Sequence, residues 1–316
     1  MIINDLLQFR EDFKEEAKII EQTLGVENYL SLRLKSKTVA TGAFSGYLID
    51  AIFGENIPSD VRSKSQMLTA LTARMIANAD YHVDKEETPV SEGRELILNM
   101  RKILNGESDL DLKKIDTYPK RVLGLTKYIH DNYIQQMPLE NQFVEMLNYL
   151  NSLADVQLLK KPENLNNIEQ PTILQESFQN IDEKIDALMI HEEDKQTAKL
   201  SVRLGAGTIV TGGIIPFCYL NSKPNQDIMS SISYIGAFVQ IKDDIKDYKS
   251  DLKNGCFTFM TNSKDVKNTS KQMNILSEDI TKEVKKLSER TNYAFSKIYD
   301  LATGNDLKKI KVLLTL

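Results

Sequence analysis

Apolar residues recur at the spacing of an α-helix along most of this chain, and that periodicity limits the fold more than any other feature. The first run illustrates it, because Phe9, Phe13 and Ile20 fall on one face of a helix that begins at Asn4 or Asp5. Alternating Val, Ile and Thr, typical of strands, is almost absent, and 14 Gly and 8 Pro are few for 316 residues. The sequence therefore predicts an all-α protein of about a dozen helices.

Start and stop signals divide the chain into helices. Prolines, glycines and capping residues place them at about 4–23, 27–34, 38–52, 61–87, 90–104, 119–135, 138–159, 172–189, 192–220, 226–253, 264–303 and 306–316. Residues 160–171, KKPENLNNIEQP, form the most loop-like stretch, which is either a domain boundary or a crossover within one bundle. We expect a single domain over residues 1–316, because two acidic sites described below lie on either side of this stretch.

Composition and charge exclude several kinds of partner. The formal net charge is −5 without a basic tail, so we expect no nucleic-acid partner. Two cysteines, and an N-terminus without a basic segment followed by an apolar core, predict a cytoplasmic protein. Residues 204–220 are uncharged, but four glycines and a proline favour a buried core helix with a break near Gly212 and Gly213 over a membrane span.

An acidic cluster follows an apolar run within residues 236–259, where aspartates occupy positions 243, 244, 247 and 251. Asp243, Asp247 and Asp251 are spaced i, i+4, i+8, and each step rotates only about 40° around a helix. Stacked carboxylates repel one another unless a cation compensates, and oxygen ligands favour Mg²⁺. The alternative is a solvated helix face, since Lys242 and Lys246 interleave with the aspartates.

A second acidic pair ends the predicted helix at 61–87. Asp80 and Asp84 are again four residues apart and again follow an apolar run. Alone, this is a common surface pattern. Two such sites on two long helices of one bundle can face each other and hold several Mg²⁺ ions and one diphosphate between them.

These stretches carry a resemblance to a known family. Residues 240–247, QIKDDIKD, resemble the second aspartate-rich motif, FQ-x-x-DD-x-x-D, of the trans-polyprenyl diphosphate synthases and the related class I terpene synthases. Residues 251–259 are similar to the D-L-x-x-G-x-x-T-F segment that follows it, and residues 202–206 are similar to the family as well. Residues 80–84 stand where the first DDxxD motif would be. The match is good over about 202–259 and loose over 67–84.

The resemblance implies the isoprenoid synthase fold, a bundle of antiparallel helices around a deep apolar cavity, and a homodimer. It implies catalytic, Mg²⁺-binding aspartates on one wall at Asp80 and Asp84 and on the other at Asp243 and Asp247, with Asp244 and Asp251 as further ligands. Mg²⁺ is the implied cofactor and a prenyl diphosphate the implied substrate. Substrate-binding candidates beside these motifs are Gln240, Arg203, Lys199, Tyr81 and Phe238, although plain surface charge and plain core packing are the alternatives for the last four.

Departures from the family pattern indicate which reaction to expect. Tyr81 replaces the second aspartate of the first motif, and Cys256 stands where a lysine is usual. The paired arginines after the first motif and the N-terminal basic motif that binds isopentenyl diphosphate are not evident. Joining two prenyl units needs a second diphosphate held by basic residues, whereas cyclisation needs one. We therefore expect a terpene synthase. A chain-elongating prenyltransferase, a weakened subunit of one, and a scaffold with merely solvated aspartates remain the alternatives.

Overall fold

The computed structural model describes residues 2–25, 52–83, 88–107 and 118–291, together with residues 42, 45, 46, 49 and 50 between the first two ranges. Every regular element in these ranges is helical, and none of the described residues forms a strand. The all-α prediction is therefore confirmed. The helices expected at 27–34 and 306–316, and most of the one at 38–52, lie outside the described residues.

Nine α-helices have bounds within the described residues, and residues 42, 45, 46, 49, 50, 52 and 53 are helical as well. The nine are α1 (Ile2–Leu24), α2 (Ser59–Val83), α3 (Val90–Leu104), α4 (Tyr118–Asn132), α5 (Glu140–Leu158), α6 (Gln175–Asp186), α7 (Glu192–Tyr219), α8 (Gln226–Asn254) and α9 (Val266–Thr291). Short 3₁₀ helices lie at Gly54–Asn56, Ile134–Gln136, Pro162–Asn167 and Thr172–Leu174. The stretch at 160–171, expected to be a loop, thus contains one of them.

Local sequence explains where several helices begin and end. The Asn225 side chain accepts a hydrogen bond from the backbone nitrogen of Ile228 at 2.9 Å and caps α8. The same helix ends at Gly255, whose φ of +68° is readily adopted only by glycine. Phe9 and Phe13 of α1 are buried, as the spacing predicted. Capping therefore accounts for both ends of α8, and apolar periodicity accounts for the buried face of α1.

Helix α7 lies at the centre of the molecule and packs against α2, α5, α6 and α8. It has the length and composition of a membrane-spanning helix, but 78% of its most apolar window is buried inside the protein. The predicted break near Gly212 and Gly213 was wrong, because α7 continues through both residues. Gly212 instead admits a neighbouring helix, since a Cβ there would lie 3.0 Å from Cγ2 of Thr69 in α2.

Candidate functional site

A cavity of about 440 Å³, here called the central cavity, lies between α2, α3, α5, α7, α8 and the loop that follows α8. This volume lies within the range of about 300–1,000 Å³ that small-molecule sites occupy. Apolar side chains from α2, α3, α5, α7 and the loop line it, among them Ile76, Ile97, Met100, Leu150, Leu204 and Phe257, whereas α8 contributes the polar Gln240 and Asn254. The lining therefore suits a ligand with a large hydrocarbon part, provided that polar groups are present to orient it.

Asp80 and Gln240 supply such polar groups, because both line the central cavity although they are far apart in sequence. Asp80 lies near the C-terminal end of α2, and Gln240 lies in the second half of α8. Tyr81, the neighbour of Asp80, is 45% exposed. Asp84 lies outside the described residues. One residue from each of the two stretches that resemble aspartate-rich motifs thus lines the central cavity.

Gln240 is held at the cavity by a close approach between α7 and α8. It lies over Gly205 of α7, where a Cβ would come within 2.4 Å of the Gln240 Cβ. Its Nε2 donates a hydrogen bond of 2.6 Å to Oδ1 of Asp244, one turn further along α8. Glycine at position 205 is therefore what leaves room for the glutamine that orients the Asp244 carboxylate.

Asp244 is the buried member of the acidic cluster. It is 4% exposed, and its Oδ2 is buried without a hydrogen-bond partner. Burial raises the pKa of Asp244 to about 8, against the effect of the Gln240 hydrogen bond, and the charges of Asp251 and Asp243 raise it further. A buried carboxylate oxygen without a hydrogen-bond partner destabilises the folded state. Binding of a proton or a cation to Asp244 would relieve this cost.

The other three carboxylates of α8 are more accessible. Asp243 is exposed, whereas Asp247 and Asp251 are partly buried. Burial raises the pKa of Asp251, and the charges of Asp247 and Asp243 raise it further, so the three groups interact electrostatically. The sequence placed Asp243, Asp247 and Asp251 on one face. It did not reveal that Asp244 would be the buried carboxylate, although its i, i+4 relation to Gln240 was a signal for it.

The two basic candidates near α8 are engaged with α6. Arg203 is buried and forms an ion pair with Asp182, and Lys199 Nζ lies 2.7 Å from Oδ1 of Asp186. Neither basic residue is part of the described lining of the central cavity. The basic side chain within that described lining is Lys160, which the sequence did not single out. The two ion pairs thus connect α6 to α7, so their first role is structural.

Phe238 is buried one turn before the acidic cluster. Lys242 Nζ lies 5.7 Å from the centre of its ring, a distance that allows a cation–π interaction. The same Nζ donates a hydrogen bond of 2.7 Å to Oδ1 of Asn274 in α9. Phe238 is absent from the described cavity lining, in which Phe257 is the aromatic side chain.

The donor set fits a hard cation only in part. Among the described residues, no three His, Cys, Asp or Glu side chains are grouped closely enough to hold a metal ion. However, Mg²⁺ is usually held by one or two carboxylates together with substrate phosphates and water. The unpartnered Oδ2 of Asp244 and the cavity-lining carboxylate of Asp80 are oxygen donors of the required kind. Asp80 is the one carboxylate among the described cavity-lining residues, and the four aspartates of the acidic cluster in α8 are not part of that lining, so the fit to Mg²⁺ that arrives with a phosphorylated ligand is partial.

No protein-family model matches this chain, and it has no significant match among curated proteins or solved structures.

Proposed function

We propose that this protein is a class I terpene synthase of the isoprenoid synthase fold, which ionises an allylic prenyl diphosphate with Mg²⁺, cyclises or rearranges it, and releases diphosphate. The observation that carries the proposal is that Asp80 of α2 and Gln240 of α8 line one cavity whose wall combines polar and apolar side chains. Each belongs to one of the two stretches that resemble the aspartate-rich motifs of this superfamily. A polar, anionic region joined to an apolar space is what a prenyl diphosphate requires.

Different side chains would bind the two parts of the substrate, the diphosphate and the hydrocarbon chain. Asp80, Asp243 and Asp247 would hold Mg²⁺, with Asp84, Asp244 and Asp251 as further predicted ligands. When bound, Mg²⁺ neutralises the charge that develops on the leaving diphosphate.

The apolar lining, with Leu204 and Phe257 among its members, holds the hydrocarbon chain. It also excludes water, which strengthens electrostatic interactions at the site and protects a reactive cation.

A reaction of one substrate is favoured over the joining of two. Elongation binds two diphosphates at once, and the second needs arginine and lysine side chains. Lys160 is the one basic side chain among the described residues that line the cavity. Arg203 and Lys199 form ion pairs with aspartates of α6. This distribution of charge supports ionisation followed by cyclisation.

The direct test is turnover by the purified full-length protein. Geranyl, farnesyl and geranylgeranyl diphosphate are each supplied with Mg²⁺, with and without isopentenyl diphosphate, and released diphosphate and extracted products are measured. Hydrocarbon or alcohol products from a single substrate are expected. Longer diphosphates formed only in the presence of isopentenyl diphosphate would instead identify a chain-elongating enzyme.

Two further measurements separate the remaining alternatives. A catalytically weakened subunit would release no diphosphate alone but would change the product chain length of an active prenyltransferase mixed with it. A scaffold with solvated aspartates would show no thermal shift with Mg²⁺ and pyrophosphate. In contrast, a ligand that binds only the folded state adds ~2.7 kcal/mol of stability at about 100 times its Kd.

A further inference from the structure

The side chain of Asn151 in α5 is a buried polar group in the wall of the central cavity. It is 9% exposed and lines the cavity, and its Nδ2 is buried without a hydrogen-bond partner. Buried polar atoms in folded proteins are nearly always hydrogen-bonded, because an unpaired amide in an apolar environment is destabilising. An exception in a ligand cavity indicates that the partner is part of the ligand or a water molecule that reacts with it.

Three other polar side chains around the cavity use their donors within the protein. Gln240 donates to Asp244, Gln157 donates at 3.0 Å to a carbonyl of the loop after α8, and Thr208 donates at 2.8 Å to a carbonyl of its own helix. Among the described lining residues, Asn151 is the one with a buried side-chain nitrogen that lacks a partner. The Asn151 amide can therefore donate a hydrogen bond to a ligand or a water molecule in the cavity.

Helices α5 and α7 place Asn151 away from the end of the cavity that Ser201 and Gln157 line. The adjacent Leu150 packs onto Gly207, where a Cβ would lie 2.7 Å from Leu150 Cδ2. Gly207 is six residues beyond the cavity-lining Ser201 of α7, and Asn151 is six residues before Gln157, so each separation is about 9 Å along a helix axis. Asn151 thus lies about 9 Å along the helix axes from the end of the cavity that Ser201 and Gln157 line, and we assign its end to the hydrocarbon.

We propose that Asn151 positions a water molecule that attacks the substrate-derived carbocation, so that the main product is an alcohol; this inference rests on the proposed function. The Asn151 Nδ2 donates a hydrogen bond to the water oxygen. The hydroxyl oxygen of Thr208, next to Gly207 and also in the lining, keeps lone pairs that accept one from the water. A water molecule in a protein interior needs two to four polar partners, and these two residues supply the minimum.

The step conserves atoms and charge. The water oxygen uses a lone pair to form a C–O bond with the cationic carbon, which gives a protonated alcohol. One O–H bond of that group then breaks, and the proton passes to the released diphosphate, the base that the reaction itself supplies. Without a positioned water, the cation loses a proton from a neighbouring carbon and becomes a hydrocarbon.

The experiment measures the ratio of alcohol to hydrocarbon products in water enriched in oxygen-18, with Mg²⁺ and each prenyl diphosphate. Oxygen-18 in the alcohol shows that water attacked carbon, because hydrolysis at phosphorus leaves the original oxygen on carbon. Asn151→Leu should lower the ratio at least tenfold, and Asn151→Ser, which keeps a donor, should restore much of it. The matched control is Asn148→Leu, the same change in the same helix at an amide that already donates to Asn105 at 2.8 Å.

A ratio that Asn151→Leu leaves unchanged, or an alcohol without oxygen-18, overturns this inference while the terpene synthase assignment stands. If the unaltered protein releases no diphosphate from any substrate, both fall together. A thermal melt of the ligand-free protein tests the unpaired amide separately. Asn151→Leu should raise Tm by ~2–4 °C, and a lowered Tm for this variant contradicts the inference.

Discussion

Gly236 of α8 lies directly against Ala206 of α7, so that a Cβ at position 236 would come within 2.6 Å of the Ala206 Cα. The nearest atom is backbone, which cannot move aside as the end of a flexible side chain can. This contact joins the two stretches, 202–206 and 236–259, that carry the strongest resemblance to the isoprenoid synthases. The approach of α7 to α8 at this point holds Ser201 and Gln240 at the same cavity.

Gly236→Ala should destabilise the protein by about 1–3 kcal/mol, because the added methyl group forces the two helices apart. Urea unfolding followed by circular dichroism measures the change. Gly212→Ala is the matched control, since its Cβ would meet only the Thr69 side chain, at 3.0 Å. Equal effects of the two substitutions would show that α7 and α8 are not in close contact at Gly236.

Asp80→Asn and Asp243→Asn should each lower turnover at least 100-fold if these carboxylates hold Mg²⁺ as proposed. Both side chains are exposed, so circular dichroism and Tm should change little. Diphosphate release is the measurement. Asp279→Asn provides the control, because Asp279 is an α9 residue paired with Lys282. Retention of most activity by either site variant would place the reaction elsewhere.

Asp244 should make the metal-free protein less stable as the pH rises. Burial raises its pKa to about 8, so the folded state keeps a proton that the unfolded carboxyl loses near its ordinary pKa of 3.8. Between about pH 4 and pH 8 the folded state therefore binds more protons, and Asp244 contributes a loss of up to about 1.4 kcal/mol per pH unit. Above about pH 8 the contribution is constant.

Asp244→Asn removes this titration, so its stability relative to the unaltered protein should increase through the same pH range. Urea unfolding in the presence of EDTA at several pH values between 5 and 9 measures the difference. A difference that stays constant with pH would mean that Asp244 is not buried as described.

Arg203→Ala should destabilise the protein by up to about 3–5 kcal/mol, because it leaves the largely buried carboxylate of Asp182 without its partner. Lys199→Ala should cost at most about 1 kcal/mol, since Asp186 is half exposed and remains solvated. Chemical denaturation measures both. Arg203→Met combined with Asp182→Leu should recover most of the stability. If Arg203→Ala weakens pyrophosphate binding without affecting stability, Arg203 acts in ligand binding and does not stabilise the fold.

Local signals predicted the helices well where caps and apolar spacing agreed. Helix α3 begins after Pro89 and ends at Leu104, as expected, because a proline stop and a glycine turn enclose a regular apolar face. The same reasoning failed at Gly212 and Gly213. A glycine pair indicates either a break in a helix or a close approach by a neighbour, and only the position of Thr69 distinguishes the two.

The candidate site could be predicted by residue type but not by position. Spacing and resemblance singled out Asp80 and Gln240, yet their presence at one cavity depends on the path of the chain between them. Helix periodicity could not tell which carboxylate of α8 would be buried, because that depends on which face meets α7. Asn151 was missed altogether, since an unpaired amide is recognised only when its surroundings are known.

Because α7 is covered on one side by α8, which follows it in the chain, its apolar surface has no complete partner while the protein is being synthesised. A nascent chain that has exposed α7 but not yet α8 presents a long apolar helix to its surroundings. Such intermediates aggregate readily and depend on chaperones. The packing of α7 against α8, which helps to form the cavity, can therefore be completed only after α8 has been synthesised. Until then α7 is exposed and the chain can aggregate.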